Sequence, residues 1–215
     1  MPNPTITSKK PAYRVSVRDA FICFIDSHTA AGAVTYENEI VRLPVLKSVG
    51  VRPDAQEKKI YASGIVYAQT TRVSGTDLEV DAVALPTDLV RKARGAVRVG
   101  ASGLSYDQAH PTRPEFAFGF IDDMSDGSEE YRFYPRCVLN IPEEDHETSE
   151  DEDPDPEDSY TISSMPTEEN VTRVYYATGD AATGKTPLTP EAFFGALPYT
   201  VAQIEALGAT EAPGT

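Results

Sequence analysis

Alternation of apolar and polar residues runs through most of this chain and predicts strands rather than helices. Ile65 to Val73 is rich in β-branched and aromatic residues and reads as a strand. Ser74-Gly75-Thr76 predicts a turn. Beyond it, Leu78, Val80 and Ala82 alternate with Asp77, Glu79 and Asp81, so a second strand has one apolar face and one face with three carboxylates. Leu85 to Gly95 then sets Leu85, Leu89, Val90 and Ala93 on one side of a short helix. The unit from Gly64 to Gly95 is a two-faced sheet segment with a helix to cover one side, and it contains no residue of obvious reactivity.

The same reasoning extends along the chain. Residues 1–18 form an N-terminal arm, because Pro2, Pro4 and Pro11 withhold backbone donors; Tyr13, Val15 and Val17 lead into the first strand, Asp19 to Ile25. Glu39 to Val49 reads as a strand interrupted at Pro44, and Val51 to Glu57 as a polar loop before Lys58 to Ala62. Phe116, Phe118 and Phe120 share one face of a strand, a polar turn surrounds Asp126-Gly127, and Glu130 to Ile141 returns as the partner of a hairpin. Ser159 to Met165 and Val171 to Ala177 are two further strands. Eight or nine strands and one helix over residues 19–178 predict a mainly β fold, an antiparallel β-sandwich or barrel with one flanking helix. Residues 179–215 form a C-terminal extension. Thr189-Pro190-Glu191 starts one short helix, Thr200 and Gln203 have capping-box spacing for another, and Ala209 to Thr215 is a loose end.

Charge changes this picture in one place. The formal net charge is -15, and Glu143 to Asp158 alone holds 11 acidic and no basic residues. Outside that acidic loop, 23 acidic residues meet 19 basic ones, so the folded part is only mildly acidic. Such a chain is ill-equipped for tight nucleic-acid binding, which runs through Lys and Arg on phosphates, yet nucleic acid could pass it without sticking. A chain of 215 residues accommodates one domain of about 150 residues with extensions, and it needs no disulfide or metal staple. Cys23 lies in the apolar run Phe21 to Ile25 and reads as a core residue, while Cys137, after Tyr134-Pro135-Arg136, reads as a strand residue. No segment is apolar and long enough to predict a membrane span, and the N-terminus lacks an apolar signal core, so the expected compartment is the cytoplasm.

Candidate chemistry is sparse. Gly179 to Thr186 fits the phosphate-loop pattern, but Pro187 and Pro190 oppose the helix that must begin there, and too little chain follows for a nucleotide-hydrolysing domain. His28, His110 and His146 are scattered, without metal-ligand spacing. The acidic run lacks the residue order of a calcium loop and reads as a solvated, repulsive segment. No nucleophile motif, cofactor site or metal site is expected, and the protein is not expected to be an enzyme. The carboxylates Asp77, Glu79 and Asp81 suit either a solvated sheet face or the wall of a water-filled channel.

The order of elements resembles the major tail proteins of long, non-contractile tailed bacteriophages, the subunits of the tail tube. The resemblance rests on Glu39 to Val49, Lys58 to Ala62, Leu78 to Ala84 running into Leu85-Pro86-Thr87-Asp88-Leu89, Phe116 to Phe120, Glu130 to Tyr134, and Tyr160-Thr161-Ile162 before Pro166. It covers about residues 19–178; the acidic run is longer than that family leads one to expect, and the last 37 residues fall outside it.

The resemblance implies six copies in a ring, rings stacked into a tube through which genomic DNA leaves, and no catalytic site. It implies a virion location after assembly in the bacterial cytoplasm. The implied partners are further copies, a tape measure, a tail terminator and a distal tail protein, with DNA passing transiently. Asp77, Glu79 and Asp81 would then face the lumen, and residues 39–62 would contact neighbouring subunits. A virion decoration or head-to-tail joining protein on a similar sandwich is the alternative.

Overall fold

The computed structural model describes residues 10–29, 34–62, 65–100, 103–141, 158–181, 185–209 and 212–213. Residues 1–9, half of the N-terminal arm, and nearly all of the acidic loop lie outside them, and the arm's last residues, from Arg14, already belong to the first strand. The described chain is mainly β, as expected, and is built on one large antiparallel sheet of nine strands. Those strands are β1 (Arg14–His28), β2 (Val34–Tyr36), β3 (Val41–Leu43), β4 (Leu46–Ala62), β5 (Ile65–Ala82), β8 (Phe116–Met124), β9 (Glu129–Leu139), β10 (Asp158–Ser164) and β11 (Val174–Ala177), while β6 (Val97–Arg98) and β7 (Ser105–Tyr106) pair separately. Their order is β2-β1-β8-β9-β10-β5-β4, with β3 beside β1 and β11 beside β9. No sheet closes on itself through hydrogen bonds, so the finer expectation of a barrel stops at a curved, open sheet.

One core fills the concave side. Ala20, Ile22 and Phe24 of β1, Leu78 and Val80 of β5, Phe116, Phe118 and Phe120 of β8, and Tyr134 and Leu139 of β9 are all buried in it. Val49 and Val51 of β4 pack on the same cluster, so strands from both ends of the sheet share one core. Helix α1 (Thr87–Arg94) covers it with Leu89, Val90 and Ala93, the face that the sequence pattern predicts. Gly95 ends the helix in the left-handed region at φ 81°, where a Cβ would also strike the Thr112 carbonyl.

A second core lies on the opposite side of β1, β8, β9 and β11. Phe21, Ala117, Ile121, Tyr131, Phe133 and Val174 line it. The cover is the C-terminal segment, with Leu188, Phe193 and Phe194 buried and Ile204 and Leu207 packed against them. Helix α2 (Pro190–Gly195) begins as the sequence indicates: Pro190 occupies the first turn, and the Thr189 hydroxyl accepts from the Ala192 amide at 3.2 Å. The capping box of α3 (Val201–Ala209) also forms, with Gln203 N donating to Thr200 Oγ1 at 3.3 Å and Thr200 N donating to Gln203 Oε1 at 3.0 Å. Beyond it, Ala212–Pro213 (β13) pairs with Lys185–Thr186 (β12), although a loose end was expected there. The segment expected as an appendage is a packed layer of the fold.

Two further expectations fail in one hairpin. Ser74-Gly75-Thr76 does not turn, because β5 is a single strand from Ile65 to Ala82. Gly75 sits mid-strand, where a Cβ would come within 2.9 Å of the Ser164 carbonyl at the end of β10. Close approach of backbone, rather than reversal of the chain, accounts for this glycine. The polar stretch Val51 to Glu57 is likewise no loop; it belongs to β4 and stays paired with β5 across a bulge at Asp54/Ala55. Pro53 is tolerated because β4 is an edge strand.

Candidate functional site: an acidic face and a bare ribbon

The three predicted carboxylates do share a face. Asp77, Glu79 and Asp81 lie on the side of β5 opposite Leu78, Val80 and Ala82, which are fully buried. Flanking strands give each one a partner. Asp77 Oδ1 accepts from Ser163 Oγ at 2.7 Å, and Glu79 Oε2 lies 2.8 Å from Arg52 Nη2. Asp81 accepts from Ser159 Oγ and Ser48 Oγ, both at 2.6 Å. Those hydroxyls hold the Asp81 carboxyl below the usual carboxylate range. Arg52 pairs with Glu79 and the Lys47 ammonium also acts on Asp81, so Asp77 is the most exposed negative group of this hydroxyl-lined surface.

The same two strands carry a feature that the sequence reading missed. Among the described residues, only 76–82 of β5 have a second neighbour, β10. From Gly75 to Ile65, β5 pairs with β4 and with no other described strand. At the usual rise per residue, this two-stranded ribbon reaches roughly 33 Å beyond the sheet. Its distal end is apolar and bare: Tyr61 is 65% exposed, Ile65 68% and Tyr67 77%, with Ile60 and Val66 also open to solvent. An isolated two-stranded ribbon is marginal in water, and a bare strand edge invites pairing with another chain. The available signal was the Ser63-Gly64 dipeptide, a turn pair, with apolar residues packed immediately on both sides of it.

Charge separates the ribbon from the body. Between residues 52 and 75 the basic residues Arg52, Lys58, Lys59 and Arg72 outnumber the acidic Asp54 and Glu57. The remainder of the chain holds 15 basic and 32 acidic residues. A mildly basic arm therefore projects from a strongly acidic body.

Compared with known families and with curated proteins, the chain has no matching family model and no significant curated match.

The other candidates of the sequence fall into ordinary settings. Burial pushes the Cys23 thiol up to about 11 and the Cys137 thiol up to about 12, so neither is a thiolate at neutral pH. His28 Nε2 pairs with Glu115 at 3.1 Å, and His146 lies outside the described residues. Among the described residues no three His, Cys, Asp or Glu side chains are grouped to hold a metal ion. The phosphate-loop stretch enters as a short 3-10 turn, Thr178–Asp180, and leaves as strand β12, so Lys185-Thr186 does not open a helix. Among the described residues no helix is long and apolar enough to cross a membrane.

Proposed function

We propose that this protein is a structural subunit that polymerises with itself, in the manner of a tail-tube protein: copies close into rings, six to a ring as the resemblance implies, and rings stack into a tube that conducts DNA. The observation that carries this reading is the β4–β5 ribbon, which presents an exposed apolar tip and a basic shaft that, among the described residues, no third strand joins. A second copy supplies what the ribbon lacks: an acidic body for the shaft and apolar surface for the tip. Burying side chains of this size is worth about 1.5–3 kcal/mol each, enough for a few of them to drive association.

On this reading Asp77 and Asp81 face the lumen. Six copies would bring 6 × -15 = -90 formal charges to a ring, and an acidic wall repels the phosphate backbone, so DNA slides without adhering. The tape measure, terminator and distal tail proteins would meet the tube at its ends, and the protein would reside in the virion.

Negative-stain imaging of the purified chain tests the proposal. Filaments with an axial channel and a one-ring repeat are expected. Assembly that stops at single rings would favour the head-to-tail joining role, and a chain that stays monomeric at high concentration would remove both.

A further inference from the structure

Near the turn of the β8–β9 hairpin lies a cleft that the assembly reading does not use. It has a volume of about 260 Å³ and is lined by Arg14, Glu130, Arg132, Arg173 and Tyr175. Strand register creates it. Asp122 stands opposite Glu130, Arg132 opposite Tyr175, and Val17 of β1 opposite Asp122. Four strands thus bring polar side chains to the end of the concave core, where the Arg132 guanidinium sits 5.9 Å from the Phe120 ring.

The charges there do not balance. Arg132 pairs with Asp122 at 3.0 Å and with Glu130 at 2.9 Å, and Arg14 pairs with Asp122 at 3.1 Å. Burial pushes the Asp122 carboxyl up to about 6, against the pull of Arg14. Two carboxylates therefore face three guanidinium groups. Arg173 forms no ion pair among the described residues; its guanidinium lies 5.7 Å from the Tyr175 ring. The neighbouring Tyr134 hydroxyl is fully buried, and the Arg173 guanidinium beside it opposes the rise that burial gives its pKa. The cleft thus holds surplus positive charge on a chain whose net charge is -15.

We propose that this cleft binds a small oxyanion of phosphate size, gripped by the Arg173 guanidinium with Arg14 at its rim. A planar guanidinium offers paired N–H groups that match two oxygens of such an anion. The site is independent of ring formation.

Calorimetric titration of the full chain with inorganic phosphate, at pH 7 and constant ionic strength in sodium chloride, tests it. One saturable site per chain is expected. Arg173→Ala should weaken binding at least about tenfold, equivalent to about 1.4 kcal/mol, while Arg91→Ala on the exposed side of α1 should leave it unchanged. Arg173 and Arg14 are both exposed, so their replacement leaves the fold intact, and Arg14→Ala provides a second variant expected to weaken binding less. Sulfate should compete and acetate should compete poorly, as a tetrahedral anion requires. Absence of saturable phosphate binding, or binding equal in Arg173→Ala, would overturn the proposal.

Discussion

Two long hairpins of the same sheet have opposite fates. In β8–β9 both faces are buried: Phe118 and Phe120 point into the concave core, while Ala117, Ile121, Tyr131 and Phe133 point into the second core. In β4–β5 only the half next to β10 is covered, and the distal half is bare on both faces. The first hairpin completes its packing with the C-terminal segment of its own chain. Among the described residues the second has no such segment. Covering one hairpin and leaving the other uncovered separates the part of the molecule that makes it fold from the part left for association.

Removing the cover should produce the largest change. Phe194 stacks on Phe21 with ring centroids 3.9 Å apart and is almost completely buried. Phe194→Ala should destabilise the fold by about 3–5 kcal/mol, seen as a fall in denaturant midpoint. A loss under about 1 kcal/mol would mean that the C-terminal layer is dispensable. Next comes the seat beneath it. A Cβ on Gly119 would fall 2.9 Å from Phe194 Cδ1 and 3.0 Å from the Arg132 carbonyl. Gly119→Ala should therefore cost about 1–3 kcal/mol by overpacking, and in a Phe194→Ala background the penalty should shrink. Equal penalties in both backgrounds would show that the close approach does not matter.

Much of this contrast was legible in the sequence, and the illegible part has a physical cause. The Phe116–Phe118–Phe120 stripe, the α1 face and the two helix starts at Thr189 and Thr200 are local signals, and each recurs in the structure. The covering of β8–β9 by residues 188–207 was not readable, because a contact such as Phe21 with Phe194 joins positions far apart in the chain. Gly75 was misread because a turn glycine and a glycine facing a neighbouring backbone look alike without the partner, here Ser164. Val51 to Glu57 looked like a loop because an edge ribbon bare on both faces has no reason to alternate. The carboxylate face of β5 was readable from strict alternation, whereas Arg52 as the partner of Glu79 was not.

The polar strand face should respond weakly and with a defined sign. Asp81 has a folded pKa below its unfolded value, so its stabilising contribution is present above the ordinary carboxylate range and is lost as pH falls through the depressed value. Ser48→Ala combined with Ser159→Ala should reduce that acid-side loss, measured as a flatter dependence of Tm on pH below about 4. An unchanged slope would mean that the hydroxyls do not hold the charge. Asp77→Lys with Asp81→Lys should leave tubes intact and slow DNA ejection if this face lines a lumen; unchanged ejection would remove that assignment. Smallest of all should be the effect of the ribbon tip on the stability of the isolated chain. Tyr61→Asp and Tyr67→Asp replace exposed side chains, and each should shift unfolding by no more than about 0.5 kcal/mol.

That small effect on folding makes the ribbon tip the place to test self-assembly. Electron microscopy of the purified wild-type chain and of the Tyr61→Asp, Tyr67→Asp double variant, at matched concentration, compares association with folding held constant. Channelled filaments from the wild type and folded, unassembled subunits from the variant are the predicted result. Filaments of equal length and number from both proteins would contradict the assignment of the ribbon as the assembly element.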